Sequence, residues 1–144
     1  GTETNKLLGR VQSGSIQPAA VTVSAQCNRV PVANGHMIAV SLSFENKQTT
    51  EEVIHTLGSF QPEREIQDLP STPGQTVRVL MQPDRPQPIL DIHAGNGMSV
   101  SVGRIRPCDV LDYRFVVLGH NTVRGAAGGA IHNAELLHAQ GFLD

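Results

Sequence analysis

Apolar residues recur along this chain at two periods, and the change of period marks out its elements. In "HMIAVSLSFE" (36–45) the positions alternate, with Met37, Ala39 and Ser41 on one side and Ile38, Val40 and Leu42 on the other. That is the period of a strand. "VTVSAQ" (21–26), "VRVLM" (77–81), "MSVSVGRIR" (98–106) and "YRFVVLG" (113–119) read the same way. "NRVPV" (28–32) continues extended, with Pro31 marking an edge or a bend, and Asn34-Gly35 is a turn signal. The period shifts to that of a helix at "TTEEVIHTLGSF". There Thr49 and Glu52 fit a capping box, Val53, Ile54 and Leu57 form an apolar stripe, and Gly58 ends the element. A second helical pattern runs through Ala127, Ala130, Ile131, Ala134, Leu136 and Leu137. Its glycines at 125, 128 and 129 each lower helix propensity by about 1 kcal/mol relative to Ala. A helix that keeps them is expected to need close approach to a strand or a ligand.

The segments between are punctuated by Gly, Ser and Pro. "GRVQSGSIQPAA" reads as loop, residues 61–75 as a polar connection, and "QPDRPQPILDIHAGNG" (82–97) as a long extended loop. Residues 3–8 read as a short helix already under way, with no capping residue before it, so the chain begins abruptly. Four or five strands come in runs rather than in βα alternation. The pattern predicts one α+β domain over 1–144, a mixed or antiparallel sheet with helices on one face. The sheet's other face needs a cover, which a homodimer would supply.

Composition narrows the function classes. The 144 residues carry a formal net charge of −2, so no broad basic surface invites nucleic acid. No apolar run approaches the roughly 20 residues of a membrane span, and "GTETNKLLGR" lacks the layout of a signal peptide. Two cysteines, with no CxxC, give no disulfide framework, and a cytoplasmic setting is the expectation. The core must rest on Val, Ile, Leu and Ala, because there are four Phe, one Tyr and no Trp.

Among candidate chemical groups, Arg29 and His36 flank the Asn34-Gly35 reversal and could face one cavity. Arginine grips carboxylates through two parallel hydrogen bonds, and histidine moves protons near neutral pH. The same spacing also describes a surface Arg and a strand-capping His. Cys27 shares a strand face with Arg29, but a cysteine inside a strand is more often packing than nucleophile. Glu3 and Lys6, three apart on the first helix, read as a surface ion pair. His55, His93, His120, His132 and His138 show no metal-ligand spacing, so no metal is expected. "GAAGGA" lacks the order of a phosphate-binding loop.

Five stretches taken together, "ETNKLLG", "SAQCNRVPVANGH", "QPDRPQP", "VSVGRIR" and "FVVLGHNTVRGAAGGA", resemble aspartate-semialdehyde dehydrogenase of the fungal and archaeal type. The resemblance runs over nearly all of the chain and implies the C-terminal catalytic and dimerisation domain, with a glyceraldehyde-3-phosphate-dehydrogenase-like fold. It implies that Arg29 grips the substrate carboxylate and that His36 is the acid/base. Glu3 would meet the substrate amino group and Lys6 the phosphate. Asn121 and Gly125 would border the nicotinamide end of NADP. Cys27 would be a packing residue beside them.

The family's nucleophilic cysteine sits in an Asn-Cys-Ser/Thr motif, and its NADP in a Gly-rich domain. Neither feature occurs in these 144 residues. The expectation is therefore a chain that carries the carboxylate and acid/base half of the site, binds no cofactor alone, and does not run the NADP-dependent oxidation by itself. Two alternatives stay open at this point. One is a stand-alone lyase, isomerase or cyclase acting on a small carboxylate or carbonyl substrate through Arg29 and His36. The other is a non-catalytic dimerisation partner of a full-length dehydrogenase.

Overall fold

Helix α1 takes Thr2–Leu7, followed by a hairpin of β1 (Arg10–Gln12) and β2 (Ser15–Gln17). Ser13 and Gly14 turn it, both at positive φ (51° and 76°), the left-handed geometry that matches the twist of paired strands. This corrects the loop expected over 9–20. The strand expected at 21–26 does not form. Among the described residues, 18–32 have no ladder partner, and alternation without a partner leaves the backbone N–H and C=O groups unpaired. Val21 and Val32 are accordingly about half exposed (47% and 45%). Asn5 is hydrogen-bonded to this stretch, its carbonyl accepting from the Ala19 amide (2.8 Å) and its Nδ2 donating to the Val21 carbonyl (3.0 Å). The computed structural model describes residues 2–143, and the chain divides after Pro31 into two compact units.

The second unit is built on a four-stranded mixed sheet in the order β3-β6-β5-β4. β3 is His36–Leu42, β4 Val77–Leu80, β5 Val100–Pro107 and β6 Tyr113–Gly119. The first pairing is antiparallel, from His36 opposite Gly119 to Leu42 opposite Tyr113. β5 runs antiparallel to β6 and parallel to β4. A bulge interrupts β5 between Gly103 and Arg106, and Arg104 there takes a left-handed φ of 57°. The α+β expectation and its mixed sheet hold.

Helix α2 (Thr50–Gly58) starts where the sequence placed it. The Thr49 hydroxyl accepts from the Glu52 amide (3.2 Å), and the Glu52 carboxylate accepts from the Thr49 amide (2.6 Å). Those contacts draw the Glu52 carboxyl below its ordinary range. Replacing Thr49 by Ala is expected to cost about 1 kcal/mol, read as a lower urea midpoint with an unchanged slope. No change in midpoint would mean that packing alone holds the helix start. Gly58 brings α2 onto the Val79 side of the sheet, where an added Cβ would lie 3.7 Å from that side chain.

Residues 61–97 are more ordered than the predicted connections. They hold α3 (Arg64–Gln67) and α4 (Pro88–Asp91). The prolines read as breakers, yet Pro88 stands in the first turn of α4, where its missing N–H costs nothing. Residues 94–97 form a tight turn with Gly95, Asn96 and Gly97 all at positive φ. The Arg85–Pro86 segment crosses Gly103 on the face opposite α2. A Cβ at Gly103 would fall 2.4 Å from the Arg85 carbonyl oxygen, so only glycine lets the two backbones meet. This part of the second sheet face is thus covered by the chain itself.

The final helix begins as a π-turn over Val123–Ala127 and continues as α5, Gly128–Ala139. The expected close approach to a strand or a ligand is not what its glycines make; Gly128 packs instead against the preceding turn and Met98. A Cβ at Gly128 would meet Val123 Cγ1 at 2.8 Å and Met98 Sδ at 2.9 Å. Glu135 fixes the helix to the Ser71 loop, accepting from the Ser71 amide (3.0 Å) and hydroxyl (2.7 Å). The buried apolar residues are Val53, Leu69, Ile92, Met98, Val102, Tyr113 and Leu118, all in the second unit. Among the described residues no helix is long and apolar enough to cross a membrane.

Candidate functional site

The predicted residues fall on both sides of the unit division. Glu3, Lys6 and Arg29 belong to the first unit, and His36, Asn121 and Gly125 to the second. Within the first unit, Glu3 and Lys6 lie on α1, both exposed. They form no ion pair with each other, which corrects the surface pair read from their spacing. Lys6 instead lines an open groove of about 540 Å³ with Thr2, Asn5, Ile16, Pro18 and Val23. The buried Oδ1 of Asn5 has no partner among the described residues. Arg29 and Cys27 are exposed on the unpaired stretch. Cys27 is therefore not the buried packing residue expected, because the strand that would have turned it inward is not formed.

In the second unit His36 opens β3 and is exposed. The Asn34-Gly35 reversal before it is a bend in which only Gly35 takes a positive φ (112°). The type I′ hairpin turn that Asn-Gly favours would need positive φ at both positions. Gly35 is buried, and a Cβ there would meet Ile92 Cδ1 at 3.0 Å and Leu118 Cδ1 at 3.2 Å. Its amide donates to Asn121 Oδ1 at 2.8 Å. Asn121 is thus tied by structure to the residue preceding His36. Gly125 is exposed, and its amide donates to the His120 carbonyl at 2.9 Å.

Three groups to which the sequence reading gave no role are also organised here. His120 is buried, with its Nδ1 accepting from the Thr122 and Val123 amides at 3.3 Å each. That tautomer carries its proton on Nε2. A histidine set between a strand end and a helix start was the available signal. Arg85 Nε donates to buried Asp91 at 2.7 Å, and the Gln87 amide donates to the same carboxylate at 2.7 Å. The Arg85 guanidinium, then the Gln87 amide, hold the Asp91 carboxyl below its ordinary range. Cys108 lies in the β5–β6 turn, where the Leu111 and Val110 amides draw its thiol downward. Among the described residues no group of three His, Cys, Asp or Glu side chains could hold a metal.

Residues 1–124 match the family described as semialdehyde dehydrogenase, dimerisation domain. The chain belongs to this family. The dimerisation domain is 48% identical to an aspartate-semialdehyde dehydrogenase of Archaeoglobus fulgidus over 135 residues, covering 94% of this chain and 38% of the relative. It is 45% identical to the Candida albicans enzyme of that name over 148 residues, covering 98% of this chain and 40% of the relative. The crystal structure of aspartate semialdehyde dehydrogenase with NADP from Candida albicans superposes with a TM-score of 0.87 at 44% identity, over 99% of this chain and 42% of that one. Aspartate semialdehyde dehydrogenase II from Vibrio cholerae gives 0.62 at 26% identity, over 80% and 30%. The chain therefore corresponds to the C-terminal domain of such an enzyme and spans 30–42% of the length of these relatives.

Proposed function

We propose that the dimerisation domain supplies the substrate-holding and proton-transfer residues of an aspartate-semialdehyde dehydrogenase, and that it works as a homodimer. The identity to relatives of that name, 48% over 94% of this chain, carries the reading. In it the Arg29 guanidinium holds the substrate carboxylate, its fork matching two oxygens. Glu3 meets the amino group, and Lys6, a compact point charge, receives phosphate. His36 takes and returns the proton as the carbonyl carbon gains or loses hydride.

NADP supplies the hydride chemistry when bound. The residues present fit only its nicotinamide end. Asn121 spends Oδ1 on Gly35, which leaves Nδ2 for a carboxamide oxygen, and the exposed Gly125 backbone permits close approach. The 144 residues contain no GxGxxG turn for the pyrophosphate and no Asn-Cys-Ser/Thr motif. Catalysis by these residues alone is thus not expected.

The test has two arms. The purified chain, given semialdehyde, phosphate and NADP, is expected to produce no NADPH absorbance. A chimera in which it replaces the matching segment of the Candida albicans enzyme is expected to produce it. Turnover by the chain alone, or an inactive but folded chimera, would overturn the reading. Sedimentation at micromolar concentration reports the dimer, and a monomer there would remove that part.

A further inference from the structure

Asn121 lies two residues past the end of β6, and its backbone is held on both sides. Gly119, two residues earlier, sits in the β3–β6 ladder opposite His36. His120 Nδ1 accepts from the Thr122 and Val123 amides, which pins the residues that follow. The π-turn adds bonds from the Gly125 amide to the His120 carbonyl (2.9 Å) and from the Ala127 amide to the Thr122 carbonyl (3.0 Å). Gly97 presses on this corner, since a Cβ there would lie 3.0 Å from His120 Cδ2 and 3.1 Å from Val123 Cβ. The side-chain oxygen of Asn121 therefore projects from a fixed point.

That oxygen reaches the Gly35 amide, 86 residues away in sequence. Gly35 is wedged on its other side against Ile92 and Leu118. It is a glycine at φ 112°, so the backbone there has wide freedom unless contacts remove it. The next residue is His36, exposed at the first position of its strand. The Asn121 bond fixes the Asn34–Gly35 peptide, immediately ahead of that strand.

We propose that Asn121 is a positioning residue for His36, its Oδ1 holding the Gly35 amide so that the imidazole leaves the backbone from one fixed conformation. This rests on the reading of His36 as the acid/base. It is separable from a cofactor contact by Asn121, which would use Nδ2. Asn121→Ala removes both atoms, whereas Asn121→Asp keeps an acceptor and loses the donor.

The measurement is NMR on the isotope-labelled chain, comparing wild type with the two variants. Gly35 amide exchange reports the bond, three-bond couplings report the His36 χ1 population, and Val102 amide protection reports the fold. In the Ala variant Gly35 exchange is expected to rise about tenfold, in keeping with one net hydrogen bond. His36 couplings should become averaged while Val102 stays protected. The Asp variant should restore both Gly35 and His36 signals. Unchanged Gly35 exchange, or an unchanged His36 coupling, in the Ala variant overturns the proposal. Should the Ala variant not fold, the Asp variant decides: loss of either signal counts against Asn121, and retention of both supports it. Failure of the acid/base reading shows elsewhere, as an unaltered rate of the His36→Asn chimera, so the two failures are told apart.

Discussion

In the chimera with the Candida albicans enzyme, His36→Asn is expected to lower kcat by on the order of 10²-fold, with KM for the semialdehyde nearly unchanged. The asparagine keeps a hydrogen-bonding group of similar reach but cannot accept and return a proton near neutral pH. An interaction used only as the proton moves lowers kcat and kcat/KM together. The position suits the role, because His36 lies at a strand end, exposed, and outside the packed core. Substitution there disturbs no buried side chain, so a lost rate would report chemistry rather than unfolding. A variant within twofold of the parent would remove His36 from the mechanism. A raised KM at constant kcat would make it a substrate-binding group instead.

The largest loss of stability is expected from Asp91→Ala. The Asp91 side chain is 1% exposed and takes donors from Arg85 and the Gln87 amide. Removing it strands the half-buried Gln87 amide and an arginine that has lost its partner. Breaking a buried pair costs about 3–5 kcal/mol. Because a quarter of the Arg85 side chain reaches water, the lower end, about 3 kcal/mol, is expected. Chemical denaturation of the two proteins at neutral pH measures it. A difference below about 1 kcal/mol would mean that water replaces the carboxylate freely.

The same pair sets a pH dependence. The folded Asp91 carboxyl lies below its ordinary value of 3.8. Its contribution is therefore fully present above that value and is lost as pH falls through the lower folded one. In Asp91→Asn the acid limb of the stability profile should be shallower. Glu52 and Glu135, both also drawn downward, leave part of the slope in place.

Where the sequence spoke most clearly, two signals agreed. The α2 start carried both a capping box and an apolar stripe, and β6 carried a run of aromatic and β-branched residues ended by Gly119, and both formed where expected. The misses share a cause. "VTVSAQ" alternates as well as any strand in the chain, but alternation states a preference and pairing is a property of what lies alongside. Residues 10–17 carried the reverse case, a hairpin hidden because its Gly and Ser read only as loop. The prolines of 82–97 masked α4, since the same residue that breaks a helix interior also suits its first turn.

The site was legible as residues and not as arrangement. Composition and spacing could pick out Arg29 and His36 but pointed more to a surface Arg and a strand cap, and the family resemblance supplied their roles. Nothing local marks Asn121 as the partner of Gly35, because the bond joins the two ends of the second unit. His120 looked idle for want of a metal spacing, whereas its use is to accept backbone amides.

The pairing of β3 with β6 also orders events in time. His36–Leu42 is made early in the second unit, and its one ladder partner, Tyr113–Gly119, is made near the end. On the ribosome the β3 segment waits through the synthesis of α2, β4, α4 and β5 before it has anything to pair with. Closing so long a loop is entropically slow. The hairpin of β5 and β6 is local and forms without that delay. The strand that carries His36 is therefore expected to be the last of the four to be fixed, and its candidate proton-transfer group is held in the sheet only once Tyr113–Gly119 has been made.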